Sequence, residues 1–163
     1  MRKLWMIAVL ALCFTGCGAE ETFETVADEM VLQTAVAQPG EIQVQLPEEA
    51  VLPAMESDNG TLYICRDYEV SVQTLDSGDL EETVRTLSGF ESSDLTVMET
   101  QTGAVTRYEF VWTSAGEAGD QVCRAAVLDD GNYHYCLSAQ IDADLAGSYQ
   151  EMWNGMFESF CVS

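Results

Sequence analysis

The residues with the types and spacing to perform enzyme or metal chemistry are few in this 163-residue sequence. His134 is the single histidine, so a nucleophilic triad or an imidazole metal site would depend on it. Together with Cys123 and Cys136 it has the composition of a zinc site. The strand pattern, however, predicts that His134 faces solvent and that Cys123 lies on the opposite face from the other two. We therefore expect neither a general base nor a metal site here.

Other patterns in the sequence also fall short of a catalytic motif. Ser114 in "TSAGEAG" lacks the Gly-x-Ser-x-Gly pattern of a nucleophile elbow. Asp142 and Asp144 in "IDADLAG" are not followed by a glutamate at the spacing of a calcium-binding EF-hand loop. The sequence predicts no catalytic residue, no metal ligand and no cofactor. The alternative is a protein that handles divalent cations, or a hydrolytic surface enzyme, using the acidic surface and free thiols.

The clearest chemistry belongs to Cys17, which follows a short N-terminal apolar run. Arg2 and Lys3 form a positive start, and residues 4–12 are apolar. This run is too short to span a bilayer, which takes about 20 residues. A positive start, a short apolar run and small residues are typical of a signal peptide. Residues 1–16 are therefore left out of the fold prediction.

The residues before Cys17 resemble the end of a bacterial lipoprotein signal peptide. Thr15 and Gly16 are small, and Phe14 stands where such peptides usually have leucine. Cys13 is a poorer alternative because Leu12 precedes it. The resemblance implies that Cys17 becomes the first mature residue and is acylated, for example with palmitate. We expect a protein anchored by lipid to the cell membrane and facing outside the cytoplasm.

The net charge restricts the possible partners. The sequence has 28 acidic and 6 basic residues, a formal net charge of −22. Signal-peptide cleavage would also remove Arg2 and Lys3. A field of this sign repels phosphate backbones and anionic headgroups, so nucleic acid is not an expected partner. The partners that remain possible are an envelope protein or a small ligand, in addition to the membrane that holds the lipid anchor.

The mature sequence predicts a tether followed by a single domain. Residues 17–58 contain the lipidated cysteine, an acidic stretch and an irregular lead-in, where short β-prone pieces bounded by Pro47 and Pro53 form edge strands at most. Residues 59–163 carry the regular periodic patterns. Four cysteines lie there, and their three possible pairings are not distinguished by the sequence: Cys65, Cys123, Cys136 and Cys161.

Two helices are predicted within the domain. "SGDLEETVRTLSGF" begins with a capping box at Asp79 and Glu82 and ends at Gly89. Its apolar face carries Leu80, Val84 and Leu87. The C-terminal "SYQEMWNGMFESF" has a second capping box, Ser148 with Glu151, and an apolar stripe at helical spacing that packs across a sheet.

Alternating patterns predict antiparallel strands in the rest of the domain. Two strands join at Arg66-Asp67, and a hairpin turns at Thr102-Gly103. In "DQVCRAAVLDDGNYHYCLSAQID" a three-residue loop at 130–132 pairs the strands. This register sets Val127 opposite Tyr135, Ala125 opposite Leu137 and Cys123 opposite Ala139. Because Cys136 then faces away from Cys123, a disulfide between them is not expected.

The predicted core collects the large apolar residues of these elements. It consists of Tyr108, Phe110, Trp112, Tyr135, Leu137, Met152, Trp153, Met156, Phe157 and Phe160. The fold class is α+β, an antiparallel β-sheet packed by a short helix and a C-terminal amphipathic helix.

The order of elements over residues 59–163, closed by a helix ending in "MFESF", resembles the PsbP-like α/β/α sandwich of photosystem extrinsic proteins and related bacterial lipoproteins. Locally, "SGDLEETVRTLSGF" and "AAVLDDGNYHYCLSAQ" look like segments of small lipoproteins from clostridia-type bacteria, a group that implies no activity. We therefore expect a membrane-anchored extracytoplasmic lipoprotein that is not an enzyme but a binding or assembly module.

Overall fold

The alternating segments of the sequence pair into one seven-stranded antiparallel sheet. In the computed structural model, which describes residues 37–116 and 119–163, the strand order is β2-β3-β4-β8-β7-β6-β5. A separate pair is formed by β1 and β9. The strands are β1 Ile42–Gln43, β2 Met55–Ser57, β3 Gly60–Ile64, β4 Tyr68–Asp76, β5 Met98–Thr102, β6 Val105–Ala115, β7 Asp120–Asp129, β8 Tyr133–Asp142 and β9 Cys161–Val162.

Two α-helices and two 3-10 turns complete the described residues. The helices are α1 Leu80–Ser88 and α2 Gln150–Ser159, and the 3-10 turns are Ser92–Asp94 and Ala146–Tyr149. As predicted, α1 begins after Asp79, whose carboxylate accepts a hydrogen bond from the Glu81 N–H. It ends at Gly89, which has the left-handed conformation with φ of 78°. No helix in the described ranges is long and apolar enough to cross a membrane.

The start of α2 differs from the prediction. A 3-10 turn precedes the helix, and Tyr149 occupies the N-cap position without a side-chain hydrogen bond to the backbone. The capping box predicted for Ser148 and Glu151 is therefore wrong. The turn that begins at Ala146 leads the chain directly into the helix. The packing of its apolar face holds the helix in place.

Each helix covers one face of the sheet. On one face, Val84 of α1 packs on Phe110, Ala125, Val127 and Cys136. On the other, the α2 residues Trp153, Met156 and Phe157 pack on residues of β4, β7 and β8. Strands β7 and β8 are therefore apolar on both faces. The result is the α+β sandwich that the sequence predicts, with the sheet as its middle layer.

The segment before β2 also packs on the α2 side of the sheet. Ile42, Val44 and Leu46 are partly buried against the cluster there. The Gly40 N–H donates to the Tyr135 hydroxyl at 2.8 Å. The compact unit runs from Ala37 to Ser163 and thus includes part of the segment predicted to precede the domain. Because it contains both apolar clusters, we expect it to fold without residues 1–36.

The register predicted for the β7–β8 hairpin is wrong by one residue. Val127 lies opposite Cys136, Ala126 opposite Leu137 and Asp129 opposite His134. The Asp130 carboxylate accepts hydrogen bonds from the N–H groups of Asn132 and Tyr133, both at 2.8 Å. Tyr133 belongs to β8 through its pairing with Asp76 of β4, but it has no partner on β7. The pair Asp129–His134 therefore encloses one residue more than predicted. The shift exchanges which residues of β7 share a face with those of β8.

Candidate functional site

An apolar groove lies beside α2, where the helix meets β6 and β7. It has a volume of about 380 Å³. We call it the α2 cleft. Its lining residues are Val111, Val122, Arg124, Ala146, Gly147, Gln150, Trp153 and Asn154. An apolar groove with a few polar groups is the usual form of a small-molecule site.

Strand alternation places the sheet side of the cleft. On β6, Arg107, Glu109 and Val111 share the face opposite to Tyr108, Phe110 and Trp112, because successive side chains alternate between faces. Val111 lies opposite Arg124 on β7. It is 54% exposed. An exposed valine next to a held arginine gives the cleft both an apolar wall and a charge.

Arg124 is fixed from three directions. Its Nη2 donates to Glu109 Oε2 at 2.7 Å, and its Nη1 donates to Asn154 Oδ1 at 3.1 Å. The guanidinium carbon lies 4.2 Å from the ring centre of Phe157. The two hydrogen bonds use two of the five N–H donors of a guanidinium. Within the described chain no further acceptor of Arg124 is found, so donors remain available at the cleft.

Glu109 joins Arg124 to a second arginine. Arg107 Nε donates to Glu109 Oε1 at 2.7 Å. Burial by itself raises the pKa of Glu109, but the hydrogen bonds from Arg124 and Arg107 outweigh it and lower the pKa below its ordinary value. The carboxylate therefore stays ionised near neutral pH. The three side chains together carry one net positive charge.

Trp153 forms the floor of the cleft from the helix side. Its side chain is 7% exposed. The indole Nε1–H is buried, and in the described part of the chain it has no hydrogen-bond acceptor. A buried donor without a partner costs about 1–3 kcal/mol. This N–H is the one buried side-chain polar atom in the described ranges that lacks a partner.

His134 does not lie where the sequence analysis placed it. It is 1% exposed and sits between the sheet and α1 rather than in solvent. Its Nδ1 and the Thr83 Oγ1 form a 2.8 Å hydrogen bond, and its Nε2 lies 3.7 Å from Asp129 Oδ2. The prediction that His134 faces solvent depends on a sheet with one buried face, whereas α1 buries the other face of the sheet as well. The histidine therefore ties α1 to β8.

Cys123 and Cys136 share the α1 face, contrary to the prediction of opposite faces. Cys123 pairs with Gln140, and Cys136 pairs with Val127. The two cysteines are therefore four positions apart along the strands, a separation of about 13 Å. That separation rules out a disulfide between them. All four described cysteines are free thiols. Burial raises the pKa of Cys136 to about 12, and it also raises that of Cys123.

The remaining predicted site residues fall in several places. Ser114 Oγ lies 3.5 Å from Cys123 Sγ. Among residues 37–116 and 119–163, no three potential metal ligands lie together as a group. Asp142 and Asp144 are therefore not part of such a group. Cys17 lies outside the described residues. Of the predicted core residues, Tyr108, Trp112 and Met152 are half-buried, and Phe110, Tyr135, Leu137, Trp153, Met156, Phe157 and Phe160 are buried.

Sequence reasoning did not identify Arg107, Glu109 or Arg124 as site residues. A signal for two of them was present, because Arg107 and Glu109 alternate with the aromatic residues of β6. Two opposite charges on the face away from an aromatic stripe indicate an ion pair on that face. The position of Arg124 beside them depends on the pairing of β6 with β7. That pairing is not local in sequence.

Comparison with known proteins identifies the fold. No protein-family model matches the sequence. No curated protein matches it either. The solved structure of LpqN, a protein involved in cell envelope biogenesis in Mycobacterium tuberculosis, is similar with a TM-score of 0.50 at 12% identity. The match covers 78% of this chain and 87% of LpqN.

The solution structure of PsbP from the cyanobacterium Synechocystis is similar to the same extent. It has a TM-score of 0.50 at 10% identity, covering 79% of this chain and 96% of the PsbP chain. Identities this low bear on the fold alone. The predicted PsbP-like fold, an antiparallel sheet with a helix on each face, is confirmed.

Proposed function

We propose that this chain is a lipid-anchored, non-catalytic binding module of the bacterial cell envelope, and that the α2 cleft holds its ligand. The anchor part of the proposal is supported by Cys17 and the signal-peptide pattern before it. The envelope part is supported by the PsbP-like fold, which this chain shares with LpqN, a protein involved in cell envelope biogenesis. The binding part depends on the geometry of the cleft.

The observation that carries the binding proposal is the Arg124 guanidinium at the cleft. Arg124 is held rigidly by Glu109 and Asn154 and has donors to spare. A bound molecule that accepts from these donors would gain charge-assisted hydrogen bonds. Binding sites typically place a few such groups on a rigid apolar wall.

Two residues able to do nucleophilic or acid–base chemistry, His134 and Cys136, are buried in the packed interior. His134 is buried and hydrogen-bonded to Thr83. The Cys136 thiol, with its pKa near 12, is not a thiolate at neutral pH. These contacts favour binding over catalysis.

The cleft proposal can be tested by blocking the groove. A Cβ built on Gly147, which lines the cleft, meets nothing within 4 Å, and the same holds for Gly155 on the exposed side of α2. Because Gly147 lines the cleft and Gly155 does not, Gly147→Phe should fill the cleft and Gly155→Phe is the matched control.

The measurement is NMR chemical-shift mapping of residues 18–163 with a panel of apolar fragments that are anionic, neutral and cationic. We expect shifts around Val111 and Trp153 that disappear in Gly147→Phe and persist in Gly155→Phe. Shifts that are unchanged in Gly147→Phe would place the binding site elsewhere.

The anchor is tested separately in cells. Cys17→Ala should abolish incorporation of an alkyne-labelled palmitate and leave the precursor unprocessed, whereas Cys13→Ala should be labelled normally. Labelling that persists in Cys17→Ala would contradict the proposed lipidation site.

A further inference from the structure

We infer that the ligand of the α2 cleft is a small apolar carboxylate, a molecule with one carboxylate group on an aliphatic or aromatic body. This inference rests on the proposed function and names the ligand class for the same site. It follows from the charge, the free donors and the apolar walls of the cleft. Each of these selects one property of the ligand.

The guanidinium of Arg124 selects the carboxylate. Planar guanidinium and planar carboxylate match in a two-bond geometry. Glu109, Asn154 and the ring of Phe157 already fix the Arg124 side chain. Little side-chain entropy is then lost on binding, which favours affinity.

The local charge selects a single negative charge. Arg107 and Arg124 share one carboxylate, Glu109, so the network has one surplus positive charge. The whole chain is strongly acidic, but at physiological ionic strength charges more than about 8 Å away are largely screened. A monoanion neutralises the surplus, whereas a cation would be repelled by it.

The walls of the cleft select an apolar body of modest size. Val111, Val122, Ala146 and the Trp153 ring form these walls. The volume of about 380 Å³ lies at the lower end of the range for small-molecule sites. Apolar groups of the ligand would cover surface that is now exposed at Val111.

Trp153 offers the ligand an apolar ring surface. Its Nε1–H is buried, so the hydrogen bonds to the carboxylate come from Arg124. A Trp153→Phe variant keeps an apolar ring in place.

The test compares three probes with the same apolar chain and different head groups: octanoate, octanol and octylamine. Titration calorimetry and NMR on residues 18–163 should show octanoate binding about tenfold more tightly than octanol, the difference expected for hydrogen bonds to a charged group. Octylamine should bind most weakly. Arg124→Gln should remove the preference for octanoate, and Trp153→Phe, which changes only the apolar wall, should affect octanoate and octanol alike.

The outcomes separate the ligand class from the site. Gly147→Phe should abolish octanoate binding, and Gly155→Phe should retain it, which keeps the test valid if Arg124→Gln fails to fold. If octanol binds as tightly as octanoate in a cleft that Gly147→Phe closes, the carboxylate inference is overturned and the binding function stands. If octanoate does not bind, or binds equally to Gly147→Phe, the inference is also overturned, and the wider fragment panel decides the binding function independently.

Discussion

Arg107 Nη2 donates a 2.7 Å hydrogen bond to the carbonyl oxygen of Phe157, so a side chain of β6 satisfies the C-terminal end of α2. Its Nη1 also donates to the Phe160 carbonyl at 3.1 Å. Carbonyl groups in the last turn of a helix lack intrahelical partners, and a cation there also interacts favourably with the helix dipole. The arginine thereby fixes the helix that forms one wall of the α2 cleft.

Replacing Arg107 should weaken this end of α2. Arg107→Gln removes two bonds to carbonyls and one to Glu109, and we expect a loss of about 1.5–3 kcal/mol in the free energy of unfolding. Urea denaturation followed by tryptophan fluorescence measures it. The control is Arg85→Gln, in which an exposed pair with Glu91 is lost and the midpoint should hardly move. Equal midpoints for the two variants would contradict the capping role.

Acid should destabilise the protein through Glu109. Its pKa in the folded state lies below the ordinary value of 4.5, so its ionised form stabilises the fold above that pH. The stabilisation is lost as the pH falls from about 4.5 through the folded-state pKa, because the unfolded chain then binds more protons. Denaturation across this window should show a shallower pH dependence in Glu109→Gln.

The matched control for this experiment is Glu99→Gln on the exposed edge strand β5, which leaves both arginines paired. Asp130 also has a lowered pKa, since hydrogen bonds from Asn132, Tyr133 and Tyr135 outweigh its burial. Some acid dependence should therefore remain in Glu109→Gln. A pH profile identical to that of the parent would show that Glu109 does not titrate as described.

The buried pair of Thr83 and His134 should be sensitive to loss of one hydroxyl. Thr83→Val keeps the shape of the side chain but leaves His134 Nδ1 without its partner, which should cost about 1–3 kcal/mol. Thr86→Val makes the same change on the exposed side of α1 and should stay within about 0.5 kcal/mol of the parent. Thermal unfolding measures the stability of both variants. If His134 were solvated, the two variants would unfold at similar temperatures.

Trp153 should contribute to stability through its ring and not through its N–H. Trp153→Ala empties a buried site and should cost about 3–5 kcal/mol. Trp153→Phe removes the unpartnered donor as well as part of the ring, so its loss should be clearly smaller. Chemical denaturation of both variants, followed by circular dichroism, measures the difference. If Trp153→Ala unfolds like the parent, α2 does not pack as the structure shows.

The elements of the fold were more predictable than their register. The boundaries of α1 follow from Asp79 and Gly89, which act locally. The predicted β7–β8 register depends on one apolar face, but both faces are apolar, with Val127 on one and Ala126 on the other. An apolar pattern specifies register only where a single face is buried. The Asp130 hydrogen bonds then decide the length of the loop.

The candidate site was less predictable because it depends on contacts between distant segments. Arg124 meets Asn154 and Glu109 only after β6, β7 and α2 have assembled. The burial of His134 likewise depends on where α1 packs. Neither contact has a local signature in the sequence.

The most direct test of the cleft as a binding site is photo-crosslinking in living cells. A photoreactive amino acid replaces Val111, which lines the cleft on β6, or as the control the exposed Ile64 on β3, which does not line it. After irradiation the purified chains are analysed by mass spectrometry. We predict a discrete small-molecule mass added at position 111 and no such mass at position 64. The adduct at position 111 should be lost when Gly147→Phe is added to the same chain. No adduct at position 111, or the same adduct at both positions, would contradict a ligand in the α2 cleft.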